Sequence, residues 1–121
     1  MIRELTEAEC RAAMENGDFD PSLFSAPTAI ILTQSWCPQW TAMKSYLPKA
    51  EKALPGVLIY YVEYDTAVWD SLKNETFMSF KENTFNNREI PYVRYYRDGI
   101  LSRESNYISL DGFISRLRQE P

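Results

Sequence analysis

The sequence contains no histidine. Histidine is the usual general base at neutral pH, a common ligand of zinc and iron, and the partner that activates many serine and cysteine nucleophiles. Without it the chain cannot form a Ser-His or Cys-His pair. Hydrolases that depend on a catalytic triad are therefore excluded.

Cysteine is scarce as well, since Cys10 and Cys37 are the only two. A pair so far apart in sequence is too small for a zinc cluster, and a disulfide-stabilised secreted domain normally carries more cysteines. We therefore expect a reduced, cytoplasmic protein without a metal site.

A long apolar run and an excess of positive charge are also missing. The apolar runs are far shorter than the roughly 20 residues that span a bilayer, and the first residues lack the basic-then-apolar order of a signal peptide. Seventeen acidic residues against thirteen basic ones give a net charge of −4, which provides no attraction to a phosphate backbone. We expect neither membrane nor nucleic acid as a partner.

The residues that are present suit an ordinary globular domain. Of the 121 residues, 45% are hydrophobic and 25% are charged, and a chain of this size and composition can bury one core. We therefore predict a single domain over residues 1–121.

Hydrophobic periodicity predicts an alternation of helices and strands. Thr6 and Glu9 form a capping-box pattern at the first helix, and Pro48 should kink or interrupt the second. The expected order is a helix over 6–16, a strand over 28–34, a helix over 38–54, a strand over 57–64, helical segments carrying Val68, Trp69, Leu72, Phe77 and Phe80, a hairpin turning at Asp98-Gly99, and a helix over 110–117. This order describes an α/β sandwich around a mixed sheet of about four strands.

Four short motifs lie in order along this pattern. The sequence W-C-P-Q-W (36–40) joins the first strand to the second helix, Tyr64-Asp65 ends the next strand, Ile90-Pro91 opens the hairpin, and Asp98-Gly99 forms its turn. Over residues 28–117 this arrangement resembles the thioredoxin family.

The resemblance implies a fold and a domain layout. The fold would be the thioredoxin-like three-layer α/β sandwich. Residues 1–27 would form an N-terminal helix and connector, and residues 65–90 would be an extended helical insertion near the active-site face.

The resemblance also implies a site, with two departures from the family pattern. The family's redox motif has two cysteines separated by two residues, and a carboxylate is often buried six residues before the first. Here Trp40 stands at the second cysteine's position and Ile31 at the carboxylate's. The resemblance therefore implies monothiol thiol–disulfide exchange on protein or peptide partners, with Cys37 as nucleophile, no bound cofactor, and an external thiol such as glutathione to release the product.

Cys37 is the candidate catalytic residue on physical grounds too. At the first turn of a helix, free backbone N–H groups and the helix dipole favour a thiolate over a thiol. We expect a reactive, solvent-accessible Cys37, although a free cysteine can also be a small apolar filler. Cys10 lies in the first helix, which such a fold would pack on the far side or edge of the sheet, so we interpret it as a plain helix residue.

The candidate substrate-binding residues are Trp36, Pro38, Trp40, Ile90 and Pro91. The two tryptophans could form a hydrophobic rim beside the thiol, or either could cover the core. By resemblance, the Ile90-Pro91 bond would be cis and would present the backbone of Ile90 to an extended substrate. Pro91 could also merely start a strand.

The two departures leave a second interpretation open. A chain with one cysteine in the motif and an apolar Ile31 also fits a non-catalytic protein- or peptide-binding module that keeps the thioredoxin fold.

Overall fold

The computed structural model describes residues 1–66 and 73–118. These residues form five strands and four α-helices, together with a short 3₁₀ turn at Pro21–Leu23. In chain order the elements are β1 (Ile2–Glu4), α1 (Glu7–Asn16), β2 (Thr28–Thr33), α2 (Pro38–Ala53), β3 (Leu58–Glu63), α3 (Lys73–Thr84), β4 (Tyr92–Arg97), β5 (Ile100–Ser105) and α4 (Leu110–Arg118).

The five strands form one mixed sheet in the order β1-β3-β2-β4-β5. Strands β1 and β2 run parallel to β3, whereas β4 runs antiparallel to both β2 and β5. The predicted α/β sandwich with a parallel early unit and an antiparallel hairpin is confirmed. The strand that was not predicted is β1, which adds to the edge of β3.

Local signals determine where several elements begin and end. The side chain of Thr6 accepts a hydrogen bond from Glu9 N at 3.2 Å, and Thr6 N donates to Glu9 Oε1 at 2.8 Å, which confirms the capping box. Asp98 and Gly99 have φ values of 55° and 81°. Positive φ at both central residues is what a two-residue hairpin turn requires, so the predicted turn is also confirmed.

The interruption predicted at Pro48 does not occur, because α2 continues from Pro38 to Ala53. Pro48 itself is exposed, while Met43, Leu47 and Ala50 on either side of it are buried against the sheet. The burial of this apolar face outweighs the cost of one proline in the helix.

Two apolar clusters cover the two faces of the sheet. One joins α1 and α3 to Ile30, Leu32 and Tyr92, and the other joins α2 and α4 to Ile31 and Val93. Every residue of β2 is buried, as expected for a strand covered on both faces. The phenylalanine-bearing helix is confirmed as α3, while the expected helical positions Val68, Trp69 and Leu72 lie outside the described residues.

The strand directions bring three loops to one end of the sheet. Leu32, near the end of β2, pairs with Val62 near the end of β3 and with Tyr92 at the start of β4. The loops that carry Cys37, Asp65 and Pro91 therefore meet there. No helix within residues 1–66 and 73–118 is both long and apolar enough to span a bilayer.

Candidate functional site

Cys37 lies at the N-terminus of α2, as its N-cap residue. Its backbone N–H donates to Gln34 O at 3.2 Å, and its carbonyl accepts from Thr41 N at 3.0 Å. Pro38 is the first helical residue, where the missing N–H of proline has no helical partner to lose. The turn and the proline together place the sulfur beside the positive end of a 16-residue helix.

The prediction that the thiol of Cys37 is solvent-accessible is wrong. Cys37 is 5% exposed and belongs to the cluster between the sheet and helices α2 and α4. Its Sγ lies 3.9 Å from the carbonyl oxygen of Ile90. The residue is covered because the loop before β4 packs against the start of α2, a tertiary contact that the local sequence does not reveal.

Trp36 lies on the surface next to this buried thiol. It is 65% exposed, and its indole Nε1 donates to Gln34 Oε1 at 2.6 Å. Gln34 Nε2 in turn donates to the hydroxyl of Tyr64 at 3.2 Å. The Gln34 amide thus connects an exposed tryptophan to a buried tyrosine at the end of β3, and this orients the indole ring.

Trp40 covers the core and does not form part of a rim beside the thiol. Of the two interpretations that the sequence left open for it, the substrate-binding one is wrong. It is 1% exposed, its Nε1 donates to Glu63 Oε2 at 2.6 Å, and its ring lies 5.5 Å from that of Tyr61. Position 40 shares the inner face of α2 with Met43 and Leu47, so the ring points at the sheet.

Ile31 occupies the centre of the sheet directly behind the site. It is fully buried and pairs in register with Tyr61 on β3 and Val93 on β4. The apolar side chain belongs to the same cluster as Cys37. No proton-transferring group is therefore supplied from this position.

The peptide bond between Ile90 and Pro91 is cis. The loop before it is held from two sides through Asn87. Lys81 Nζ donates to Asn87 O at 2.9 Å, and Asn106 Nδ2 donates to Asn87 Oδ1 and to Pro91 O, each at 3.1 Å. Ile90 and Pro91 are thereby fixed beside the start of α2. Ile90 is half-buried, whereas Pro91 is buried and does not offer the binding surface that the sequence predicts for it.

Sequence reasoning did not identify Ser35, Lys81 or Asn106 as supports of the site, and it named Asp65 only as part of a motif. Asp65 accepts hydrogen bonds from Ser35 N at 2.7 Å and Ser35 Oγ at 2.6 Å, and so fixes the turn before Cys37. Lys81 is 1% exposed, and burial lowers its pKa to about 8. The helical spacing of Lys81 from Phe77 was a signal that it faces the core, whereas no local pattern identifies Asn106.

Cys10 lies on the other face of the sheet from Cys37, as a fully buried residue of α1. Burial raises the pKa of its thiol to about 12. Both cysteines are free, and the sheet separates them. The structure thus agrees with a plain helix residue at position 10.

No protein-family model matches the sequence, and no curated protein matches it. Solved structures do match. Thioredoxin O2 from Arabidopsis thaliana is 19% identical over 98% of this chain and 92% of its own, with a TM-score of 0.68. Thioredoxin f2 from Chlamydomonas reinhardtii is 13% identical over 98% and 95%, with a TM-score of 0.67, and Trxlp from Edwardsiella tarda is 17% identical over 97% and 98%, with a TM-score of 0.63. The chain therefore has the thioredoxin fold.

Proposed function

We propose that this thioredoxin-fold chain is a monothiol thiol–disulfide exchange protein in which Cys37 is the nucleophile. The observation that supports the proposal most is the place of Cys37 as N-cap of α2, beside the Ile90–Pro91 loop. Sγ accepts no hydrogen bond from the first turn of α2 in the structure. Once it rotates away from Ile90 O, the free N–H groups of that turn would stabilise its anion, which is the form that attacks a disulfide.

The proposed reaction has two steps. The Cys37 thiolate attacks one sulfur of a partner disulfide, so that a mixed disulfide forms and the partner's other sulfur leaves as a thiolate. An external thiolate, such as that of glutathione, then attacks the partner sulfur of the mixed disulfide. This second attack releases the Cys37 thiolate and joins the external thiol to the partner.

An external thiol is required because no second cysteine is in reach within the chain. Trp40 fills the position that a second motif cysteine would occupy, and Cys10 lies behind the sheet in the other apolar cluster. Since the sequence has no third cysteine, the thiol that releases the product must come from another molecule.

The burial of Cys37 determines how a partner must approach. We propose that an extended protein or peptide segment docks on Trp36, Pro38 and Ile90, while the buried Pro91 shapes the loop. Its disulfide would then reach Sγ as this atom rotates away from the Ile90 carbonyl. The activity needs no bound cofactor, and a cytoplasmic location, where thiols stay reduced, would suit it.

A second candidate function is a non-catalytic protein- or peptide-binding module. The burial of Cys37 and of the apolar Ile31 behind it favours this alternative. In such a module the exposed Trp36 and the Ile90–Pro91 loop would bind a partner, and Cys37 would only fill space beneath them.

The reaction of the native protein with 2-hydroxyethyl disulfide, which is small and uncharged, separates the two functions. We expect mass spectrometry to show one adduct on the wild type and on Cys10→Ser, none on Cys37→Ser, and complete release of the adduct by glutathione. Adduct formation only after unfolding would contradict the exchange function and favour the binding module. An intramolecular disulfide between Cys10 and Cys37 would contradict the monothiol mechanism.

A further inference from the structure

A second exposed aromatic side chain lies at the same end of the sheet as Trp36. Among the described residues, four large hydrophobic side chains are exposed: Met1, Trp36, Ile100 and Tyr107. Met1 precedes β1, and Ile100 follows the hairpin turn, so both lie at the end of the sheet opposite Cys37. Tyr107 is 46% exposed and follows β5, whose last residue pairs with Val93 near the Cys37 end.

The residues on both sides of Tyr107 are anchored by hydrogen bonds. Asn106 Nδ2 donates to Pro91 O at 3.1 Å, and Asn87 Nδ2 returns a hydrogen bond to Asn106 Oδ1 at 3.2 Å. The carbonyl of Ile108 accepts from the hydroxyl of Tyr46 on α2 at 2.9 Å. The Tyr107 loop therefore connects the Pro91 loop to the helix that carries Cys37, and it presents an amphipathic ring to solvent between two fixed points.

Acidic side chains surround this end of the sheet. Asp65 follows β3, Glu89 precedes Ile90, and Asp111 lies in the first turn of α4. None of these three carboxylates forms an ion pair with a lysine or arginine of the described ranges. The neighbouring Arg88 is held by Glu82 at 2.8 Å. The charges around Trp36 and Tyr107 thus favour a cationic partner.

We propose that Trp36, Ile90 and Tyr107 form one docking face and that this face selects extended peptide segments in which apolar side chains alternate with lysine or arginine. The inference rests on the proposed function and adds to it a class of partner. Aromatic rings bind both apolar side chains and cations, and the carboxylates accelerate the approach of a positive segment. Glutathione carries two carboxylates and one ammonium group, so the same charges slow its approach.

Three matched peptides test the charge selection. Each peptide has ten residues, in which apolar and polar positions alternate, and a single cysteine joined as a disulfide to the same small thiol. The three peptides differ only at the polar positions, which are all Lys, all Gln or all Glu. At an ionic strength of about 0.01 M, we expect Cys37 to react about 10-fold faster with the Lys peptide than with the Glu peptide. The ratio should fall towards one at about 1 M salt. Equal rates at low salt would overturn the proposal.

Variants then locate the selecting groups. The double variant Glu89→Gln, Asp111→Asn should reduce the Lys-to-Glu rate ratio at least about threefold. Asp98→Asn, which removes an exposed carboxylate at the opposite end of the sheet, should leave that ratio unchanged. Tyr107→Ala should slow all three peptides more than it slows 2-hydroxyethyl disulfide. An equal loss for peptides and small disulfide would show that Tyr107 only supports the structure and would overturn its part in docking.

A binding measurement separates failure of this inference from failure of the exchange function. Cys37→Ser cannot form an adduct, so peptide binding to it is followed by the NMR signals of the Trp36 indole and of Tyr107. Tighter binding of the Lys peptide than of the Glu peptide supports the docking face even if Cys37 proves unreactive. Binding without charge preference overturns the docking face even if Cys37 exchanges disulfides.

Discussion

Trp40 is the residue that most restricts the chemistry of the site. It stands where the thioredoxin motif has its second cysteine, and its ring is buried between α2 and Tyr61 of β3. The indole N–H donates to Glu63 Oε2, and Lys44 Nζ lies 3.4 Å from the same oxygen. The position is therefore filled by a packed, hydrogen-bonded side chain. Cys37 is left as the single thiol at this end of the described sheet.

The two tryptophans of the motif should respond differently to the same substitution. Trp40→Phe leaves a space in a packed core and removes a donor from a partly buried carboxylate, so we expect the free energy of unfolding to fall by about 2–3 kcal/mol. Trp36→Phe changes an exposed ring and should cost less than about 0.5 kcal/mol. Urea denaturation of both variants measures the difference. Equal small losses would show that Trp40 is not a core residue.

At the scale of elements, the sequence predicts those that depend on local signals. The first helix has its capping box at Thr6 and Glu9, and the last hairpin has Asp98-Gly99, so each could be located within a residue or two. Strand β1 has three residues and exists because Ile2 pairs with Ile59 of β3, a partner 57 positions along the chain. No periodicity can be recognised in so short a segment.

In the candidate site, too, local signals could be predicted from the sequence and contacts between distant residues could not. The helix start at Pro38 and the loop at Ile90-Pro91 could be predicted. The sequence left open whether Trp40 forms a rim or covers the core, although its spacing from Met43 and Leu47 matches the buried face of α2. The burial of Cys37 could not be predicted, since it depends on the approach of Ile90 from a loop 53 positions away in sequence. Helix α2 also shows that tertiary packing overrides a strong local signal at Pro48.

Pro48→Ala should stabilise the protein. Pro48 lacks the N–H that would donate to the carbonyl of Lys44, and its ring crowds that carbonyl. Pro48 is exposed, so alanine leaves no cavity. The gain is reduced by the greater freedom of alanine in the unfolded chain, and we expect a net increase of about 1–2 kcal/mol in the free energy of unfolding. Lys49→Ala, at the next exposed position, should change it by less than about 0.5 kcal/mol. An unchanged or lower stability of Pro48→Ala would show that α2 has adapted to the proline.

For the molecule as a whole, the sheet separates two cores with different roles. The core beneath α2 and α4 contains Cys37 and is almost entirely apolar. On the other face the buried Lys81 donates to Asn87 O, with its Nζ 5.9 Å from the centre of the Tyr92 ring. A buried ammonium group is thus used to hold the loop that leads to Ile90 and Pro91. The first core holds Cys37, and the second core supports the loop that covers it.

This buried lysine should give the stability of the protein a distinct pH dependence. Burial lowers the pKa of Lys81 to about 8, although Glu82 and Glu89 oppose the shift, and an unfolded lysine has a pKa of about 10.4. Between these values the unfolded chain binds the additional proton, so the contribution of Lys81 to stability rises with pH. Below about pH 8 both states are protonated and the cost of burying the charge is fully present.

We therefore expect the free energy of unfolding of the wild type, minus that of Lys81→Met, to rise by about 1 kcal/mol per pH unit between about pH 8 and 10. Taking the difference cancels the titration of the buried tyrosines and Cys10, which both proteins share. Lys52→Met, which removes an exposed lysine of α2, should show no such rise. Urea denaturation at a series of pH values measures all three proteins. A flat difference for Lys81→Met would mean that the Lys81 amine remains protonated in the folded protein and that its charge is stabilised by more than the hydrogen bond to Asn87.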